Sequence, residues 1–120
     1  MSSRAKRGLP ETVLERVAER FKALSEPMRL RLVYALMEGE KTVSQLVEET
    51  GSLQANVSKH LGILLDAGIL GRRKEGTSAY YRITDESVFE LCDLVCGSIE
   101  DHLAAELRSF SAASSAGRRS

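Results

Sequence analysis

The sequence predicts a mainly α-helical protein with one small β-hairpin, and three features of the chain support this fold class. Apolar residues recur at helical spacing through most of the first 70 residues. Residues 69–84 instead alternate as two short strands around a polar turn. The length of 120 residues, 42% of them hydrophobic, supports one domain with a small core. We therefore expect about five helices and a hairpin.

The first predicted helix opens at Pro10 and Glu11. Both residue types are favoured in the first turn of a helix. Apolar residues follow at helical spacing and give the helix one apolar face. That stripe consists of Val13, Leu14, Val17, Phe21 and Leu24.

The second predicted helix covers residues 28–37 and is expected to lie in the core. Ser25 is positioned to act as its N-cap, with Pro27 inside the first turn. The helix is apolar on nearly all sides, which indicates burial. Arg29 and Arg31 lie off the apolar faces, and we expect them to be solvated charges in preference to phosphate contacts.

Two short helices with a tight break between them follow. Residues 43–50 and 54–67 flank Gly51-Ser52-Leu53, and this outline is typical of a helix-turn-helix. An ordinary antiparallel helix pair would give the same pattern. The second helix, however, has a small, polar and singly basic face opposite its apolar stripe, which suits the DNA major groove. The candidate contact residues are Gln54, Ala55, Asn56, Ser58 and Lys59.

A basic hairpin comes directly after this helix pair. Gly68 stands at the position expected for a helix C-terminus, and residues 69–74 and 79–84 are predicted strands around the turn 75–78. A helix-turn-helix followed by a basic hairpin is a winged helix. The candidate DNA contacts of this wing are Arg72, Arg73 and Lys74.

These segments resemble the ArsR/SmtB family of bacterial winged-helix repressors. The similarity rests on LSEPMRLRLVYAL, LQANVSKHLGILLDAGIL and RRKEGTSAYYRI, which occur in the family's order within residues 21–94. The resemblance implies a homodimeric repressor that binds operator DNA and releases it when an inducer reaches a sensing site. In this family the inducer is often a metal ion or metalloid, and sometimes an oxidant or a reactive sulfur species.

The last predicted helix begins near Glu86, after Thr84 and Asp85, and ends near Phe110. Its apolar residues repeat at spacings of three, four or seven, as in a coiled-coil seam. The seam is longer than one small domain needs, so we expect a homodimer formed through the first and last helices. The seam consists of Val88, Leu91, Leu94, Val95, Ile99, Leu103 and Leu107.

Two cysteines on this last helix are the candidate inducer site. Cys92 and Cys96 are four residues apart, which places their Cβ atoms roughly 6 Å apart on one face. Such a pair can hold a soft ion or metalloid, namely As(III), Cd²⁺, Zn²⁺ or Cu⁺. A third ligand would come from His102, an acidic residue or the partner chain. The alternative is that both thiols only pack in the dimer seam as small apolar groups.

Two ligand patterns of related metal sensors are missing. Many members carry Cys-x-Cys just before the helix-turn-helix, but residues 41–45 supply no thiolate. Members with a zinc-type site on the last helix begin it with Asp-x-His, whereas Ser87 stands where the histidine would be. His60 is expected to be a satisfied, half-buried histidine and not a ligand.

Charge is unevenly distributed although the formal net charge is zero. Residues 54–84 contain five basic and two acidic side chains, whereas residues 85–110 contain one basic and seven acidic side chains. One face can therefore approach phosphates. The acidic residues either form the solvated side of the last helix or attract cations.

Other functional classes find no support in the sequence. There is no Gly-rich phosphate loop, no nucleophile with a nearby histidine and acid, and no metal-hydrolase helix, so an enzyme is not predicted. No apolar segment is long enough for a membrane span, and the N-terminus lacks a signal-peptide core. We expect a cytoplasmic protein whose two cysteines stay reduced.

The sequence divides into a flexible basic N-terminus (residues 1–9), a winged helix domain with dimerisation helices (10–108) and a disordered tail (109–120). The predicted function is a repressor that binds double-stranded operator DNA at an inverted repeat and is released by a metal or thiol-reactive inducer. Two alternatives stay open. One is a winged-helix regulator without metal sensing, and the other is a protein-interaction module that has lost DNA binding.

Overall fold

The computed structural model describes the backbone of residues 8–119 and the side chains of residues 8–112. The predicted fold class is confirmed, because this part of the chain contains five helices and three strands. It divides into two compact units, one ending at Glu86 and the other beginning at Ser87. In chain order the elements are α1 (Glu11–Ala23), α2 (Pro27–Leu36), β1 (Lys41–Thr42), α3 (Val43–Thr50), α4 (Gln54–Asp66), β2 (Leu70–Glu75), β3 (Ser78–Ile83) and α5 (Glu86–Arg119).

The core of the first unit lies between α2, α3 and α4. These three helices contact one another, and α4 also contacts β2. Burying one Val, Leu or Ile side chain completely contributes about 1.5–3 kcal/mol, so this core is the main source of stability of the unit. Its fully buried side chains are Leu32, Val33, Leu46, Val57, Leu61, Leu64 and Ile69.

Local contacts set the boundaries of the helix-turn-helix. Gln45 N donates to Thr42 Oγ1 at 3.2 Å, and Thr42 N donates to Gln45 Oε1 at 2.8 Å. This capping box gives acceptors to two backbone N–H groups at the start of α3, which would otherwise have none within the helix. Gly51 ends α3 at φ 69°, a left-handed conformation that glycine adopts without steric cost. The predicted break between the two helices is therefore confirmed.

The junction between α1 and α2 differs from the prediction. Ser25 is not the N-cap of α2, because Glu26 holds that position, and Ser25 Oγ instead donates to Lys22 O at 2.6 Å. Arg29, expected in solvent, is half-buried, and its Nε donates to Ala23 O at 2.5 Å. The last carbonyls of α1 have no helical donor, so side chains from the next segment satisfy them.

A three-stranded antiparallel sheet has the strand order β1-β3-β2. The hairpin of β2 and β3 was predicted, whereas β1 was not, because two residues are too few to show a period. Lys41 and Thr42 pair with Tyr81 and Tyr80 of β3. The wing is therefore joined through β1 directly to the start of α3.

The last helix is longer than predicted. Its predicted end lies near Phe110, but α5 continues to Arg119, so the predicted disordered tail is helical as far as that residue. This segment contains alanines, which favour helices, and no proline to stop one. Residues 1–7 of the expected flexible N-terminus lie outside the described residues. No described helix is long and apolar enough to cross a membrane.

Candidate nucleic-acid interface

The outward face of α4 has the polar character that the sequence predicts. Gln54, Ala55, Ser58 and Lys59 are all exposed. The opposite side of the helix carries Val57, Leu61 and Leu64, which are fully buried at 0% exposure. Because close-packed side chains on one side hold the helix, the polar face is presented in a fixed orientation. This arrangement suits a helix that enters a groove of DNA.

Asn56 is used differently from the other candidate residues of α4. It is half-buried, and its Nδ2 donates to Ser52 Oγ at 2.8 Å. In this structure its amide therefore stabilises the turn before the helix. The sequence places Asn56 near the helix start but cannot show that its side chain points back to the turn.

Leu53 is an exposed apolar residue, and the sequence predicts only that it lies in the turn between the two helices. It is 80% exposed and lies immediately before Gln54. An apolar residue in a turn, where a polar one is usual, is the signal that could have drawn attention to it. Leu53 lies beside the polar face of α4 (Gln54, Ala55, Ser58 and Lys59), and an apolar side chain there suits contact with a thymine methyl group or a sugar.

The wing separates its basic residues onto two faces. Arg72 and Lys74 alternate with Arg73 along β2, so the first two share one face and Arg73 lies on the other. Arg72 and Lys74 are exposed, and within residues 8–112 no carboxylate forms an ion pair with either. Both are therefore available for phosphates.

Arg73 is held by the protein itself. Its Nη2 donates to Glu40 Oε1 at 2.7 Å, its Nε contacts the same carboxylate at 2.9 and 3.0 Å, and its Nη1 donates to Glu75 Oε2 at 2.6 Å. The guanidinium also lies 4.6 Å from the ring centre of Tyr80. Hydrogen bonding to Arg73 lowers the pKa of Glu40. Of the three predicted wing contacts, Arg73 is therefore the one with its charge already paired.

The two thiols lie on one side of α5, as their spacing predicts. Cys92 is buried at 8% exposure, and burial raises the pKa of its thiol. Cys96 is half-buried, and its Sγ is 3.4 Å from Glu100 Oε1. Neither forms a disulfide. The pair can supply two sulfur ligands to a soft ion.

His102 does not join this pair within one chain. It is exposed, and six residues of helix carry it about 9 Å along the axis from Cys96 and onto a different side. In the part of the chain that the structure describes, no group of three or more His, Cys, Asp or Glu side chains could hold a metal ion. One chain therefore offers an incomplete site.

His60 has a partner, as expected of a satisfied histidine, but it is buried and not half-buried. It is 7% exposed, and its Nδ1 lies 3.1 Å from Nη1 of Arg29. Burial lowers its pKa, and the charge of Arg29 lowers it further. The ring therefore belongs to the packing behind the exposed polar face of α4 and not to that face.

Known proteins share both the sequence and the fold of this chain. Residues 26–71 match the family described as bacterial regulatory protein, arsR family. An uncharacterised HTH-type transcriptional regulator of Methanocaldococcus jannaschii is 43% identical over 82 residues, which cover 68% of this chain and 92% of that protein. A probable mercury resistance operon repressor of Streptomyces lividans is 35% identical over 97 residues, which cover 81% of this chain and 78% of that protein.

A solved structure supports the same assignment. It is the homodimeric winged helix-turn-helix DNA-binding domain of a possible ArsR-family transcriptional regulator from Mycobacterium bovis. It matches with a TM-score of 0.72 at 34% identity, over 80% of this chain and 92% of that one. The chain therefore belongs to the arsR family of bacterial regulatory proteins and is a winged helix-turn-helix transcriptional repressor.

Proposed function

We propose that this repressor binds an inverted-repeat operator as a homodimer, with one α4 helix of each chain in successive major grooves. The observation that carries the proposal is the polar face of α4, which is exposed while the opposite face is fully buried. Two such helices related by a two-fold axis read half-sites about 34–36 Å apart. The similar domain from Mycobacterium bovis is a homodimer.

Exposed apolar side chains supply the surface for a second chain. On α1 the exposed fractions run from 41% at Val13 and Val17 to 56% at Phe21. On α5, Leu94 is 74% exposed and Leu107 is 69% exposed. Stripes of this kind are rare on monomeric proteins and indicate an interaction surface. Dimerisation through the first and last helices would remove both stripes from water.

The proposed DNA contacts divide by chemistry. Side chains on α4 can hydrogen-bond base edges, and cations on the wing can contact phosphates without reading sequence. Arg73 enters this set only if DNA displaces its carboxylate partners. The base-reading set is Gln54, Ala55, Ser58 and Lys59, which Asn56 joins only if its amide leaves Ser52. The phosphate set is Arg72 and Lys74.

The test uses a duplex of about 30 base pairs enriched by the purified protein from a randomised pool. Wild-type protein should protect two half-sites, and its affinity should fall steeply with salt because phosphate contacts release counterions. Ser58→Ala with Lys59→Ala should remove discrimination between this duplex and a scrambled one. Glu48→Gln, a change at an exposed residue of α3, serves as the matched control.

Two outcomes would count against this assignment. A double variant that protects the same half-sites with unchanged affinity would show that α4 does not read the sequence. A wild-type protein whose binding is weak and independent of salt would favour the alternative of a protein-interaction module.

The proposed inducer site is the thiol pair Cys92 and Cys96, completed by a ligand from the partner chain. The similar protein from Streptomyces lividans is a probable mercury resistance operon repressor, and mercury is a soft metal. A soft ion can displace the proton that burial favours on Cys92, because metal binding drives deprotonation of thiols. The cytoplasm, where thiols stay reduced, is the expected compartment.

A titration of operator-bound protein tests this site. Arsenite, Cd²⁺, Zn²⁺, Cu⁺ and a persulfide donor are each added to wild type and to Cys92→Ser, Cys96→Ser and His102→Ala. Release by one agent that is lost in both serine variants supports the thiol pair. Release that survives both substitutions would show that the thiols only pack and that the sensing site lies elsewhere.

A further inference from the structure

Arg29 connects three helices behind the DNA-reading face. It lies in the first turn of α2, and its Nε donates to Ala23 O at 2.5 Å while its Nη2 donates to Lys22 O at 3.4 Å. Its Nη1 lies 3.1 Å from Nδ1 of His60 on α4. One guanidinium thus contacts the C-terminal end of α1 and the middle of α4 at the same time. The planar fork of arginine suits such a bridge, because its donors have a fixed geometry.

The chemistry of this contact sets the state of the histidine. Arginine has only donors, so Nδ1 of His60 must accept and the proton of the neutral ring lies on Nε2. A second proton would bind to Nδ1 and remove the only acceptor of the ring. The positive charge of the ring would then face the cations Arg29 and Lys59. The contact with Arg29 therefore requires neutral His60.

We propose that Arg29 and His60 are positioning residues for DNA reading, which hold α4 in the orientation that its polar face needs. His60 directly follows Ser58 and Lys59, so a displacement of the ring shifts the residues that face the groove. This inference rests on the proposed function, because it assigns the pair a role in reading DNA. Arg29 and His60 need not touch DNA themselves, and sequence discrimination would depend on whether His60 is protonated.

The charged groups around His60 determine the direction of the pH effect. Arg29 and Glu26 face it from α2 and its N-cap, and Lys59 neighbours it on α4. Glu26 favours the protonated ring, but burial and the two cations outweigh it, so the pKa of His60 lies below its ordinary value. The contact is complete above the ordinary value of about 6.5 and is lost as pH falls through the lowered pKa. DNA discrimination should therefore weaken on acidification.

The experiment measures the ratio of affinities for the enriched duplex and a scrambled duplex across a pH series that starts at about pH 8 and descends. A ratio is used because acidification changes binding to both duplexes through bulk charge. His60→Asn keeps an acceptor for Arg29 but cannot titrate, and His60→Leu keeps an apolar bulk without an acceptor. The chain has two histidines, so His102→Asn at an exposed position, measured without added metal, is the matched control. Thermal melting of each variant reports whether it folds.

The expected results differ between variants. The wild-type ratio should fall by up to about tenfold as the pH drops through the lowered pKa of His60, because a displaced helix loses base contacts. His60→Asn should hold a nearly constant ratio close to the wild-type value at pH 8. His60→Leu should show a ratio about tenfold lower throughout the pH series. His102→Asn should behave like wild type.

Three outcomes decide the matter. A folded His60→Leu variant with the wild-type ratio at pH 8 would show that the contact serves stability alone and would overturn the inference. If His60→Leu does not fold, His60→Asn decides, because a pH dependence equal to that of wild type would also overturn it. A wild-type protein that enriches no duplex would instead reject the proposed function, and this inference with it.

Discussion

The helices α4 and α5 are both amphipathic, yet they use their apolar faces in opposite ways. In α4 the side chains of Val57, Leu61 and Leu64 are 0% exposed. In α5 the exposed fraction reaches 74% at Leu94 and 69% at Leu107. Both helices have the same kind of apolar spacing, but these α4 side chains are fully buried and these α5 side chains are largely exposed.

In the proposed function this difference separates two tasks, which are DNA reading by α4 and pairing with a second chain by α5. Because α4 satisfies its apolar face inside the chain, its polar face is free to meet DNA in a fixed orientation. Because much of α5 exposes its apolar residues, that helix is suited to meet a second chain. Amphipathic spacing therefore indicates that a helix has a partner, but it does not indicate whether the partner belongs to the same molecule.

The largest expected effect comes from making the apolar face of α5 polar. Leu94→Asp with Leu103→Asp should yield a monomer, because a charge buried in an apolar interface is costly unless it is paired. Affinity for the operator should then fall at least about a hundredfold, since one chain contacts a single half-site. Sedimentation reports the assembly, and Glu90→Gln on the same helix is the control. A double variant that stays dimeric would place the interface elsewhere.

A change in the buried face of α4 should act on stability instead. Leu61→Ala should lower the free energy of unfolding by about 2–5 kcal/mol, because it leaves a cavity among close-packed side chains. Leu53→Ala is the matched control, since that leucine is 80% exposed. Its effect on stability should be within about 0.5 kcal/mol in urea denaturation. Equal effects of the two changes would contradict the contrast in burial.

A smaller effect is expected from the free cations of the wing. Arg72→Ala with Lys74→Ala should weaken binding to all duplexes alike and reduce the slope of affinity against salt by about two counterions. Arg73→Ala should leave that slope nearly unchanged, because Glu40 and Glu75 already pair with its charge. The measurement is the binding constant across a salt series. A larger slope change for Arg73 would show that DNA displaces its carboxylates.

The smallest effect should follow from loosening that ion pair. Glu40→Gln removes the negative charge of the carboxylate that accepts hydrogen bonds from Arg73. The guanidinium should then be more available to phosphates. Affinity for a scrambled duplex should rise about threefold at low salt, since exposed ion pairs are weak. Glu48→Gln on α3 is the control for the loss of one negative charge. A fall in affinity would mean that Glu40 orients Arg73 toward DNA.

The sequence alone determined the elements that depend on neighbours along the chain. The boundaries of α3 follow from its apolar period and from Gly51, whose left-handed conformation ends the helix. Gly68, with a positive φ of 78°, marks the end of α4 in the same way. Each of these signals acts over a few residues, so it can be read without knowing the fold.

The tertiary structure decided which side chains are free to act. Arg29 meets His60 across 31 residues, and Arg73 meets Glu40 across 33. From the sequence, both arginines read as solvent-exposed cations, one on a helix surface and the other on the wing. Spacing along one element determines which face a residue occupies, but an ion pair or buried contact depends on which elements meet. For that reason the exposed polar face of α4 was predictable, whereas the contacts that Arg29 and Arg73 make were not.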